Sequence, residues 1–409
     1  MKFSESFIYT LREDPKSAEC RSHQLLLRGS FLTMIASGIY SYLPLGYKVL
    51  NNINTVIRKH MNKAGAQELF MSALQPIELW QKTGRDKDMA EVMFRFSDRK
   101  KRELCLGPTH EEEITEIVKR SVFSYKQLPF ILYQIQTKFR DEPRSRFGLM
   151  RSCEFIMKDA YSFDVDKQGM DKNYQKMLRA YQNIFSECGL DYIMIEADSG
   201  AMGGSLSHEF MVPAPIGEDM LYHCDKDNSY HKVKGECPKC SKSLKDARMA
   251  EIGHIFQLGT KYSLAQEGLF LDSQGKRLPF IMGCYGIGVS RVLAAIAEIS
   301  SDDKGMIWPK RIAPYEVSLV VLDDSLTGEA LSLAERIEAM GLSVLVDERK
   351  EPAGVKFKDA YLIGNPYIII MGKKYSKDKT IDLETRKTQK SGSFTKEEVL
   401  SFFKEEYGL

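Results

Sequence analysis

Apolar residues at Ile131, Leu132, Tyr133, Ile135 and Phe139 give Phe130–Phe139 the period of a strand, and Glu154–Phe163 reads as a second one. Between them lies Pro143–Gly148, rich in arginine and turn formers. Two long strands joined in this way form an antiparallel hairpin with a mobile, basic tip, which commits this part of the chain to an antiparallel sheet.

The elements around the hairpin follow from spacing. Val49, Leu50, Ile53, Val56, Ile57 and Met61 recur at helical intervals, and Gly65 stops the helix before a strand-like Glu68–Leu74. Asp171–Cys188 is an amphipathic helix, Tyr192–Glu196 a strand, and Gly203-Gly204 a turn. Phe280–Glu298 reads as a strand, a glycine turn and an alanine-rich helix. From Ala313 the order is strand (317–322), helix (329–340), strand (343–346), helix (355–363), strand (367–371), which predicts a separate α/β domain with a mainly parallel sheet. Residues 221–250 interrupt this pattern with a polar stretch carrying His223, Cys224, His231, Cys237 and Cys240, and read as a small insertion.

A chain of 409 residues holds two or three domains. Its 58 basic and 56 acidic residues leave a net charge of +2, so any nucleic-acid contact comes from local patches and not from a global field. The eight cysteines are scattered, only Cys237 and Cys240 being close, which is unlike a secreted disulfide framework. No signal-like segment and no apolar run of membrane length occurs, and the chain reads as cytoplasmic.

Three constellations carry chemistry. Arg140, Glu142 and Arg151 fall on or beside the hairpin strands, where alternation sends Arg140 and Glu142 to one face; guanidinium groups there can bind phosphate, and an ion-pair ladder on a solvated face would have the same sequence. Gly283–Arg291 looks superficially like a dinucleotide loop, but Arg291 stands where the third glycine would be. Gly286 and Gly288 then let backbone approach a ligand, with Arg291 in the first helical turn adding charge to a phosphate; a plain strand-to-helix turn is the other reading. Thr109 followed by Glu112 has the spacing of a capping box, next to the acidic run Glu111–Glu113.

Phe139-Arg140-x-Glu142 with Arg151-x-x-x-Phe155 resembles motif 2 of class II aminoacyl-tRNA synthetases, and Gly286-x-Gly288-x-x-Arg291 resembles motif 3. Gly38–Gly46 through Gly65–Glu68 looks like motif 1, with Ser72 where the motif's proline is expected. Leu106–Glu112, Leu132–Arg140, Met157–Phe163 and Glu251–His254 extend the resemblance to the bacterial-type prolyl-tRNA synthetases over nearly the whole chain.

That resemblance implies an α+β catalytic domain over residues 1–312, its antiparallel sheet flanked by helices, with motif 1 at about 38–76, motif 2 at about 138–163 and motif 3 at about 280–298. A smaller α/β anticodon-binding domain follows at 313–409, and the stub at 221–250 stands where many relatives carry an editing domain. It implies ATP-dependent activation of L-proline and transfer to tRNA(Pro), without editing in cis, by a homodimer formed through motif 1. Arg140 would bridge the proline carboxylate and α-phosphate, Arg151 and Arg291 would hold the outer phosphates of ATP with its Mg²⁺, Glu142 would read the adenine amine and Phe155 would stack on the ring. Thr109 and Glu111 would receive the proline imino group, with His254 lining the pocket. Arg349, Glu351 and Lys356 fall in the family's anticodon-reading loop, although residues 313–409 carry 14 basic against 17 acidic residues. A paralogue without catalysis, serving as a regulatory or accessory subunit, is the alternative; such forms lose the phosphate-binding arginines, and this chain keeps them.

Finally, Cys224-x-x-Asp227 followed by Cys237-x-x-Cys240 looks like a zinc ribbon with a cysteine missing at Asp227. Three thiolates with Asp227, His223 or His231 would complete a tetrahedral site, and a surface loop with leftover cysteines is the competing reading.

Overall fold

Pro44 opens helix α1, Pro44–Lys63, at the position where a missing N–H costs nothing. All six apolar residues of its predicted stripe are buried, and Gly65 ends it at φ +81°, with Ala66 N–H returning to Met61 O. The computed structural model describes residues 1–198 and 200–408. Ser199 and Leu409, the last residue of the expected C-terminal domain, lie outside the described residues.

One compact unit comprises Ala36–Tyr40 and Ile53–Ala295. Its centre is a nine-stranded sheet. In chain order it uses β1 (Gln67–Glu68), β2 (Phe130–Phe139), β3 (Glu154–Asp164), β4 (Ile193–Ala197), β5 (Leu206–Pro213), β6 (Asp219–Cys224), β7 (Ser229–His231), β8 (Lys245–Gly259) and β9 (Ile281–Gly288). The spatial order is β7-β6-β8-β9-β3-β2-β1, with β5 joining β8 to β4. Every pair is antiparallel except β1 on β2.

The predicted hairpin is β2–β3, at the centre of this sheet. Helix α2, Glu111–Ser121, packs Ile114, Val118 and its neighbour Val122 into an aromatic core with Tyr161, Phe163, Phe256 and Phe280. Helix α3, Lys167–Glu187, is capped by the Asp166 carboxylate on Gly169 N–H and buries Tyr174, Tyr181, Ile184 and Phe185. Tyr181 and Phe185 pack against Phe210 of β5 with tilted rings.

Four local expectations need correction. The strand foreseen at 68–74 stops at Glu68, because side chains take over the ladder: Met71 N–H donates to Gln134 Oε1 (3.0 Å) and Ser72 N–H to Glu113 Oε1 (2.9 Å). Leu74–Pro76 then joins a different sheet. No glycine turn precedes helix α4, Val289–Ile299; Gly286 and Gly288 are strand residues and β9 runs straight into the helix. The capping box does not form, since His110 is the N-cap and Thr109 Oγ1 donates to Glu111 instead. Residues 221–250 supply most of β6, all of β7 and the start of β8, so the stub widens the central sheet.

The second unit comprises Met1–Ile35, Ser41–Asn52 and Ile296–Leu409. Its sheet uses β10 (Val317–Val321), β11 (Val344–Asp347), β12 (Tyr367–Met371), β13 (Ile381–Thr385) and β14 (Ser391–Phe394), in the order β11-β10-β12-β13-β14. The three strands foreseen are parallel, and β13 and β14 extend them antiparallel. Helices α5 (Thr327–Glu338) and α6 (Ala353–Ile363) connect them as predicted. This division differs from a boundary at 312 because the N-terminal residues pair here: Lys2 bridges Val346, and Thr10 and Arg12 both reach Asp359.

Candidate active site

Register builds the floor of the site. His254 of β8 lies opposite Gly286 of β9, which lies opposite Asp159 of β3, which lies opposite Gln134 of β2. Residues opposite one another share a face, and period two adds every second neighbour. Phe155, Met157, Asp159 and Tyr161, with Cys284, Gly286 and Gly288, and with Ile252, His254 and Phe256, line one cavity of about 380 Å³. Thr109, Glu111, Arg140, Glu142, Arg151 and Arg291 complete its walls, so all ten residues read from sequence for proline and ATP meet there.

One end is cationic. Arg140 and Glu142 are not on a strand: β2 ends at Phe139, and Glu142 N–H closes a turn on Arg140 O (2.8 Å). The Arg140 guanidinium lies 5.2 Å from the Phe155 ring centre, and its Nε is buried without a hydrogen-bond partner. Burial and the neighbouring Arg291 pull its pKa below the usual arginine value. Arg291, in the first turn of α4, donates to Met150 O (2.9 Å) and pairs with Glu251 (3.1 Å). Burial alone would raise the Glu251 carboxyl, but His254 and Arg291 outweigh it and hold the pKa at about 2. His254 stacks on Phe256 at 3.8 Å and leaves Nε2 buried without a partner. Two neighbouring guanidinium groups, one with a buried unpaired Nε, favour a multiply charged anion. Arg151 is engaged with Glu142 (2.7 Å) and Glu218 (3.1 Å).

The other end is anionic and rests on a residue the sequence did not disclose. Arg85, only 1% exposed, donates to Glu111 (3.1 Å) and to Glu112 (3.0 Å) between the rings of Trp80 and Tyr262. Thr109 Oγ1 donates to the same Glu111 oxygen at 2.7 Å. One guanidinium thus serves two buried carboxylates, which leaves room for a second cation; burial pushes Glu112 upward against the pull of Arg85. On the same face of the sheet, beside the cavity, buried Lys138 bridges His110 and Asp159, both at 2.8 Å.

The anticodon candidates separate. Lys356 is 2% exposed and spends its ammonium on the Val321 and Asp347 carbonyls, so it presents no edge to a base. Arg349 pairs with Asp347 and Asp359 over the Phe3 ring. Glu351 is exposed, as are Lys373, Lys377, Lys379, Lys387 and Lys390. In the stub, Cys224, Cys237 and Cys240 converge, while His223 and His231 hydrogen-bond to Asn228 and Ser229.

Residues 94–300 match the family described as tRNA synthetase class II core domain (G, H, P, S and T), and residues 316–406 match an anticodon binding domain. The proline–tRNA ligase of Caldicellulosiruptor bescii is 38% identical over 548 aligned positions, covering 96% of each chain, and that of Aquifex aeolicus is 36% identical over 564 positions, covering 99% of each. The fold is similar to a Giardia lamblia prolyl-tRNA synthetase in complex with prolyl-adenylate (TM-score 0.79, 20% identity, 92% of this chain and 74% of that one).

Proposed function

The chain belongs to the class II prolyl-tRNA synthetases, and from that footing we propose that it activates L-proline with ATP and esterifies the product to tRNA(Pro). The observation that carries the reading is the polarity of one cavity, with Arg140 and Arg291 at one end and the Arg85-supported Glu111 at the other. A zwitterionic amino acid bound against a triphosphate has that polarity.

In the first step a proline carboxylate oxygen attacks the α-phosphorus of the MgATP substrate, the bond to the β-phosphoryl oxygen breaks, and pyrophosphate leaves. In the second, a ribose hydroxyl of the terminal adenosine attacks the adenylate carbonyl, and AMP leaves. Neither step needs a protein nucleophile, so positioning and charge stabilisation do the work. Arg140 touches both the carboxylate and the α-phosphate, and Arg291 and Arg151 hold the outer phosphates. Arg151 and Glu142 exchange their mutual ion pair for phosphate and adenine amine, and Phe155 offers the ring face that Arg140 overlies. Thr109 and Glu111 take the imino group, and His254 Nε2 supplies a polar atom to the pocket wall.

A paralogue without catalysis is not favoured, because Arg140, Arg151 and Arg291 all line the cavity. Pyrophosphate exchange with single amino acids is the test. Proline should support it, and Arg291→Ala should lower it by roughly 10 to 1000-fold in a variant that still unfolds cooperatively. Exchange at the wild-type rate in that variant would remove Arg291 from the mechanism.

The C-terminal residues 313–409 are proposed to hold the anticodon through Glu351 and the exposed lysines between 373 and 390. Dimerisation through motif 1 is supported by Phe70 and Leu74, which are 77% and 46% exposed within it. Sedimentation should find a dimer that Phe70→Asp weakens; a monomeric wild-type protein would contradict this. The dispersed cysteines support a cytoplasmic setting.

A further inference from the structure

The thirty residues 221–250 are too few to enclose an apolar core of their own. Their interior is sulfur instead: Cys224 and Cys237 are buried with Leu244, and Cys240 packs against them. All three Sγ atoms lie within 4.8 Å of one another. None of these groups belongs to the cavity described above.

The two halves of this segment repeat one turn. After Cys224 the chain folds so that Asn228 N–H donates to Cys224 O (2.9 Å), with Asn228 at φ +55°. After Cys237 it folds so that Ser241 N–H donates to Cys237 O (2.8 Å), with Ser241 at φ +57°. Left-handed backbone at a residue other than glycine is uncommon, and here it occurs twice at the same offset. Each turn carries a metal-binding type of side chain at its first and fourth residues: Cys237 and Cys240 in one, Cys224 and Asp227 in the other. Asp227 therefore holds the place that Cys240 holds in its own turn.

Two edges of such a site have the right length, while the Asp227 carboxylate stands outside the 4.8 Å group formed by the three Sγ atoms and must swing inward to complete a tetrahedron. Cys224 Sγ is 3.5 Å from Cys240 Sγ, and Cys237 Sγ is 3.7 Å from Asp227 Oδ2. A tetrahedral zinc with Zn–S near 2.3 Å and Zn–O near 2.1 Å requires edges of about 3.8 Å between sulfurs and about 3.6 Å between sulfur and oxygen. The other carboxylate oxygen, Oδ1, accepts from Ser229 N–H (3.1 Å) and Oγ (2.6 Å), which turns Oδ2 toward the sulfurs in the manner of an outer partner orienting a ligand. Lys239 Nζ lies 3.7 Å from Oδ2 and offsets the negative charge of such a centre. His223 and His231 are already bonded to Asn228 and Ser229.

We infer that Cys224, Cys237, Cys240 and the Asp227 carboxylate bind one structural zinc ion, which replaces the missing core of the stub. The site is closed, with four protein ligands and no position for substrate. It fastens the β6–β8 pairing at His223 and Lys245, on the same strand that carries Glu251 and His254 further along.

The test is metal analysis of the full chain, purified without a histidine tag and without chelator. One zinc per chain is expected. Replacement by cobalt should give tetrahedral ligand-field bands with thiolate charge-transfer absorption. Asp227→Cys should keep the metal and raise that absorption by about a third, the ratio of four thiolates to three. Cys237→Ser should lose the metal. Zinc well below one equivalent in wild-type protein, or thiol counting that finds a disulfide among the three cysteines, would overturn the site. A cobalt spectrum that Asp227→Cys leaves unchanged would overturn the fourth ligand.

Discussion

His110 shows how much a single side chain can carry without touching the cavity. It is fully buried, its Nε2 donates to Ser72 O (3.0 Å), and its Nδ1 accepts from the Lys138 ammonium (2.8 Å). Those partners fix the neutral tautomer, since a proton on Nδ1 would set two donors face to face. Burial and the Lys138 charge accordingly press the pKa down to about 4, against the opposing pull of Asp159. The unfolded chain binds this proton near pH 6.5 and the folded chain does not until about pH 4, so His110 stabilises fully above pH 6.5 and loses that contribution as pH falls through 4. The difference amounts to about 3 kcal/mol. Asp164, which burial raises to about 6, acts with the opposite sign over an overlapping window. Urea titrations of wild type and His110→Gln at pH 7 and pH 5 separate the two, because the glutamine amide supplies the same donor and acceptor without titrating. Wild type should lose more stability than the variant between those values, and equal losses would mean that His110 is charged in the fold. Arg85 belongs to the same scale as a failure of sequence reading. It follows Gly84 in a short polar run that looks like surface, and only the fold reveals that it is spent on Glu111 and Glu112.

At the scale of elements, two of the glycines of strand β9 are there for different reasons. A Cβ on Gly283 would lie 2.3 Å from the hydroxyl of buried Tyr285, which is hydrogen-bonded to Ser162. A Cβ on Gly286 would meet nothing closer than 3.9 Å, and the position has no left-handed backbone. The first glycine therefore serves packing, and the second keeps the cavity floor low where a ligand must lie. Gly283→Ala should cost about 1 to 3 kcal/mol of stability, while Gly286→Ala should leave the melting temperature within about 2 °C yet lower adenylate formation by about tenfold or more. Thermal scans and pyrophosphate exchange on both variants check this, and unchanged exchange in Gly286→Ala would mean that substrate does not approach β9. Much of this element was legible beforehand. The alternation of β2 and β3 located the hairpin, and the motifs located the residues. The register that sets His254, Gly286, Asp159 and Gln134 in one row was not, because it is fixed by pairings between strands far apart in sequence. The early end of β1 was hidden for a related reason: the groups that replace its ladder, Gln134 and Glu113, come from elsewhere in the chain.

For the whole molecule, the decisive quantity is chain length against that of the relatives. The alignment with the C. bescii protein runs over 548 positions, and this chain has 409 residues, so at least 139 aligned positions have no counterpart here. The residues at 221–250 are already committed, to strands β6, β7 and β8 and to the cysteine cluster, and cannot also fold a second catalytic core. The synthetic pocket meanwhile has no steric means of rejecting an amino acid smaller than proline. Alanine loses only methylene contacts, about 1 to 3 kcal/mol for each, so discrimination against it is limited and misactivation is expected. Mischarged product should then persist unless a separate deacylase removes it. Pre-formed alanyl-tRNA(Pro) incubated with the purified enzyme should decay at the rate of the ester alone in the same buffer. Faster decay would mean that an editing site lies in the chain outside residues 221–250.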